Sequence, residues 1–157
     1  MPVARTATLP HEHVLIRVPK TGKPLSIMAA QHKAIARAEG RVWIGIPNQR
    51  LCDWRRRWIA ERMRSFHPVR LFLVRGAPAE FTGFGAAIVD ASSTLPAHNL
   101  VPDYYFADRV IEQVGIWFLV WHLARVSTAD LSRLRVANTG NFALEKWHGI
   151  SSLLFVC

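Results

Sequence analysis

GRVWIGIPNQR, residues 40–50, is a short apolar strand carrying Trp43 and closing on a Gly-Ile-Pro-Asn turn. A tryptophan at the mouth of a strand, with main-chain groups free just beyond it, can hold a flat ring. The indole face stacks while N–H and C=O groups read the ring's edge. A Trp inside a Val-Trp-Ile run is more often a core residue than a ligand wall. The segments on either side have to separate these two readings.

Upstream, His13–Val18 (HVLIRV) alternates as a first strand and stops at Pro19 and the Thr21-Gly22-Lys23-Pro24 turn. Leu25–Glu39 has helix formers, with Ile27, Met28, His32, Ile35 and Ala36 on one face, and Gly40 stands where a helix is capped. Downstream, Asn48–Arg64 reads as an amphipathic helix. Leu51, Trp54, Trp58, Ile59 and Met63 form its apolar stripe, and Arg50, Arg55, Arg56, Arg57, Arg62 and Arg64 its wet side. Val69–Arg75 and Phe81–Asp90 make a strand pair in which Gly83-x-Gly85 marks a bulge or a close backbone approach. Ala91–Asp108 is a long connection holding Tyr104, Tyr105 and Phe106, and such connections in compact domains tend to be functional. Val110–Val126 predicts a central strand bent at Gly115. Ser127–Asp130 reads as a helix cap, Asn141–His148 as a short helix, and Ser152–Val156 as a last strand. This order predicts one α+β domain over residues 1–157, with 1–10 flexible, a curved and barrel-like, mostly antiparallel sheet, and helices packed outside it.

Composition narrows the partners. The chain has 157 residues, 50% of them hydrophobic, and 20 Lys+Arg against 11 Asp+Glu leave a net charge of +9. Such a length supports one packed core. An arginine-dominated excess of this size points to polyanions. No apolar run is long enough for a membrane span, since Val114–Leu123 is interrupted by His122. Cys52 and Cys157 form no zinc-knuckle or CxxC pattern, and the start of the chain has no secretory apolar region.

Catalytic signatures are missing. The sequence has no paired carboxylates in an acid–base setting, no G-x-S-x-G, no phosphate-binding loop and no dinucleotide fingerprint. His11 and His13 make an HxH without a third ligand at motif spacing, and Cys52 stands beside Asp53 with no histidine near it. The expectation is a protein without catalysis, metal or cofactor. A small alternative, an enzyme site built from His11, His13 and Asp103, stays open.

Three blocks in order resemble the YTH family of methylated-base readers, within the PUA-like group that also holds EVE domains. They are Ala36–Gly45 (ARAEGRVWIG), Pro68–Asp90 (PVRLFLVRGAPAEFTGFGAAIVD) and Val114–Asn138 (VGIWFLVWHLARVSTADLSRLRVAN). The resemblance implies a PUA-like fold and a non-catalytic reader that takes a modified base, N6-methyladenine by family habit, into an aromatic pocket. Trp43 resembles the first wall, and the main chain at Ile44 and Gly45, with Asn48 beyond, would read the base edge. The family's second Trp has no counterpart near Asn99 and Leu100, so Leu100 with Tyr104, Tyr105 or Phe106 would supply that surface. Arg41, Arg50, Arg56, Arg57, Arg75 and Lys146 are the candidate phosphate contacts.

The partner so implied is DNA or RNA, with a flipped modified base and a nuclease of a modification-dependent restriction system, and no membrane. The location would be intracellular: cytoplasm or nucleoid in a prokaryote, organelle or nucleus in a eukaryote. The alternative is a structural RNA-binding subunit of an organellar or ribosomal ribonucleoprotein that kept the fold without a working pocket. That alternative expects Trp43 to be buried and Tyr104–Phe106 to be packed against protein.

Overall fold

The computed structural model describes residues 12–18, 25–75, 82–137, 142–144 and 153–156. Among the described residues six strands form one sheet: β1 (His13–Arg17), β2 (Val42–Pro47), β3 (Arg70–Arg75), β4 (Thr82–Ser92), β5 (Val114–Val126) and β6 (Leu153–Val156), in the order β2-β5-β4-β3-β1-β6. Four α-helices accompany them among the described residues: α1 (Leu25–Glu39), α2 (Asp53–Arg64), α3 (Tyr104–Ala107) and α4 (Thr128–Ser132). β1 runs parallel to β3, and every other pairing is antiparallel. The architecture is therefore α+β with a mixed sheet.

The sheet does not close into a barrel. β2 and β6 are its two outer strands and do not pair, so the barrel expectation is corrected to an open sheet. Alternation misses this because it assigns each strand two faces and says nothing about which strands meet at the edges.

The period-2 pattern puts Val14, Ile16, Ile44, Leu71, Phe84 and Phe118 on one face. There they form the main core with Trp58 and Ile59 of α2 and Ala29 of α1. The opposite face is covered in two parts. At the β1–β3 side, Leu15, Phe72 and Val74 pack on Leu131, Leu134 and Leu144; at the β2–β5 side, Trp43, Trp117 and Leu119 pack on Tyr104 and Tyr105.

Several local signals are found where the sequence puts them. Gly40 caps α1 at φ +81, with its N–H donating to the Ala36 carbonyl at 2.8 Å. The Ser127 hydroxyl accepts from the Asp130 N–H at 3.1 Å and starts α4. The register of β4 against β5 shifts between Gly85 and Ala87, the bulge expected of the Gly-x-Gly pair. At Gly115 the Gln49 carbonyl leaves no room for a Cβ, so only glycine lets the chain pass there.

Other expectations move. α2 begins at Asp53 rather than at Asn48, and Val110–Gln113 is a 3-10 turn before β5. β5 lies second from the edge, with β4 and β3 in the middle. Ile27 of α1 is 48% exposed, so it leaves the apolar face assigned to it. Within the expected helix 141–148, residues 142–144 form a bridge and a turn, and the rest lies outside the described residues, as do residues 1–10, His11, Lys146 and Trp147.

Candidate functional site

Four elements bring aromatic rings to the outer edge of β2. Trp43 and Gly45 come from β2, Trp117 from β5, His32 from α1, and Tyr104 and Tyr105 from α3. α3 is a single turn set by the preceding Pro102 and Asp103, whose carbonyls accept from the Tyr105 and Phe106 N–H groups at 3.2 and 3.0 Å. That turn stacks the two tyrosines with ring centres 4.4 Å apart and 24° between planes, and sets Tyr105 at 5.2 Å from the Trp117 ring. Gly45 makes the room. A Cβ there would stand 2.8 Å from the Trp117 ring and 3.0 Å from the Val114 methyls.

One hydrogen-bonded chain runs through the nest. The Gly45 N–H faces away from β5 and donates to the Tyr105 hydroxyl at 2.9 Å. The His32 Nε2 lies 3.1 Å from that hydroxyl, and its Nδ1 lies 2.7 Å from the Met28 carbonyl. A carbonyl can only accept, so Nδ1 carries the proton, Nε2 is bare and the phenol donates to it. The Gly45 carbonyl is 3.4 Å from the same hydroxyl. One phenol thus meets both edge groups of Gly45, the N–H and the C=O, on the side of β2 away from β5.

Burial fixes the charge states. It lowers the His32 pKa to about 4, the Met28 contact opposing it, so the imidazole is neutral at pH 7. It pushes Tyr105 up to about 12 and Tyr104 higher still. The Tyr104 hydroxyl is buried without a hydrogen bond of normal geometry. No group in the nest titrates near neutrality, which suits stacking and edge recognition rather than proton transfer.

The structure brings Trp43, Gly45, Tyr104 and Tyr105 together, with Leu100 and Phe106 half-buried at the margin. It closes them too: Trp43 is 8% exposed, Tyr104 7% and Tyr105 2%. Ile44 points to the main core instead. Asn48 is exposed at φ +59, with its N–H on the Gln113 carbonyl. His32 and Trp117 were not among the candidates. The available signal was His32 itself, a polar residue on the apolar face of α1, which needs an internal partner.

The basic candidates sit on three elements. Arg41 precedes β2, Arg75 ends β3, and Arg50, Arg56 and Arg57 stand at or before the first half of α2. Arg41, Arg50 and Arg57 are exposed. Arg56 is partly drawn in by Asp53, whose carboxyl it holds below its usual range by hydrogen bond and charge, and by the Ser93 hydroxyl at 3.4 Å.

Two arginines assigned to the wet side of α2 are buried, which corrects that face. The Arg55 guanidinium lies 3.6 Å from the Phe155 ring centre, 4.1 Å from Trp54 and 4.5 Å from Trp58, and pairs with Glu12 at 3.2 Å. Arg62 donates to the main-chain carbonyls of His67 at 2.9 Å, of Pro68 at 3.3 Å and of Glu12. Both arginines fasten the chain and are not offered to a ligand.

Among the described residues, no three metal-ligating side chains cluster, no helix is long and apolar enough to cross a membrane, and Cys52 is an exposed free thiol. No protein-family model, no curated protein and no solved structure matches this chain.

Proposed function

We propose that this chain is a non-catalytic, PUA-like nucleic-acid-binding domain that reads a modified base at the β2 edge. The observation that carries the reading is the occupant of that edge. A planar phenol from the chain itself satisfies the Gly45 N–H while stacked on Tyr104 and tilted against Trp117, with Trp43 packed in the same cluster. A purine presents the same features, a flat face and a mixed donor–acceptor edge. The base enters by exchange with Tyr105, and stacking returns roughly 1–3 kcal/mol per base against the few kcal/mol that flipping costs. Arginine contacts to phosphate supply most of the affinity, from the +9 net charge. The resemblance to YTH and EVE domains favours N6-methyladenine and, in a prokaryote, a restriction nuclease as partner.

A second reading rests on burial. With Trp43 and Tyr105 both under one-tenth exposed, the nest is core, and the domain is a structural RNA-binding subunit. Fluorescence anisotropy at fixed salt separates the two. The probes are DNA and RNA strands, unmodified or carrying N6-methyladenine or 5-methylcytosine, with wild type and Trp43→Phe. A preference of about tenfold or more for one modified strand, ~1.4 kcal/mol, lost in the variant, supports the reader. Equal binding to every strand, unchanged by the variant, leaves the structural domain.

A further inference from the structure

The α2–β3 junction holds a residue that neither packing nor turn geometry explains. α2 ends in a Schellman turn: the Phe66 N–H donates to the Met63 carbonyl at 3.2 Å and the His67 N–H to the Arg62 carbonyl at 3.0 Å. The left-handed position of this turn, φ +61, is taken by Phe66, although glycine suits it best. The ring gains little burial in return, being 90% exposed. Strain of this kind persists where a side chain has another use.

Beside Phe66 opens a cavity of about 440 Å³, within the range of small-ligand sites. His13, His67, Arg70 and His122 line it, and no described residue in its wall is acidic. Arg62 helps to form the wall through its bonds to the His67 and Pro68 carbonyls. The Arg70 side chain lies over the Phe72 ring at 5.3 Å on an exposed residue. The His67 Nδ1 donates to the Ser65 carbonyl at 2.8 Å, which fixes that ring in the wall. His122 also has a left-handed backbone, at φ +55. Two of the four non-glycine residues in that conformation among the described residues therefore border this one cavity.

We infer that the cavity is a second nucleic-acid site, which holds one backbone phosphate of a single strand at Arg70 and stacks the adjoining base on Phe66. It rests on the nucleic-acid reading proposed above and adds a contact separate from the β2 nest. An exposed aromatic beside cations is the pattern that single strands use, because every base has a face to stack and every linkage a charge to neutralise. A duplex offers the charge and withholds the face.

The test is anisotropy with short labelled, unmodified single strands of DNA and RNA across a salt series, using wild type, Phe66→Gly, Phe66→Trp and Arg70→Gln. Thermal melts accompany each variant. The site requires Phe66→Gly to weaken binding roughly tenfold while melting no lower than wild type. Phe66→Trp keeps the affinity, and Arg70→Gln lowers it with a salt slope shallower by about 0.7. Wild-type affinity in either Phe66→Gly or Arg70→Gln overturns the site, while binding by the wild type leaves the nucleic-acid reading standing. Failure of the wild type to bind any strand at low salt overturns both.

Discussion

Gly45 lacks a side chain because the Trp117 ring occupies the space, with only 2.8 Å left for a Cβ. Gly45→Ala therefore pushes the indole into the nest, and overpacking of this kind costs about 1–3 kcal/mol, read as a lower urea midpoint. Tyr105→Phe strips the partner from the Gly45 N–H and from His32 Nε2, both buried, and costs about 1–3 kcal/mol.

His32 adds a pH dependence with a definite sign. Its folded pKa of about 4 lies below the ordinary 6.5, so between those values the unfolded chain takes up a proton that the folded chain refuses. Stability is full above about pH 6.5 and falls as the pH drops toward 4, by up to ~3 kcal/mol. His32→Gln removes that fall, and urea titrations at pH 7 and 5 measure it. Phe66→Gly, by contrast, raises stability by about 1 kcal/mol through relief of the left-handed backbone.

Among the elements, α2 shows where pattern reading stops. The apolar period found its Trp58–Ile59 stripe, because apolar spacing reports the buried face directly. It counted Arg55 and Arg62 as wet, because a cation buried against indoles or main-chain carbonyls looks the same in sequence as a solvated one. Arg62→Ala unseats three carbonyls and costs about 2–4 kcal/mol, whereas Arg64→Ala, two positions on and exposed, changes stability by less than ~0.5 kcal/mol. β1, β3, β6 and α1 were legible to within a residue, since alternation and the Gly40 cap are local signals, whereas β5 starts four residues after its expected start at Val110. The nest was legible only as membership. The sequence named Trp43, Gly45 and the tyrosines, but the filling of the Gly45 edge by Tyr105 depends on a contact across 60 positions that no local pattern encodes.

At the scale of the molecule, a net charge of +9 spread over several elements makes any polyanion binding strongly salt-dependent. If three phosphates are engaged on a single strand, the logarithm of the binding constant falls with that of the salt concentration with a slope of about −2, and a slope near zero excludes phosphate contacts. The open sheet was the one large feature that the sequence misjudged. Barrel closure is a relation between its first and last members, and neither β2 nor β6 says in its own residues that the other is absent.

The place of β1 between β3 and β6 sets a timetable for the newborn chain. Of the described strands β1 leaves the ribosome first, yet it pairs with β6, which follows all the others, His13 against Val156. At ordinary translation rates the interval is on the order of ten seconds. Throughout it the side of Val14–Ile16 that faces β6 waits unpaired, long after β3, β4 and β5 can join one another and β1 can join β3. Nascent molecules stalled before β6 should present that apolar edge to each other, so this protein is most prone to aggregate while it is being made.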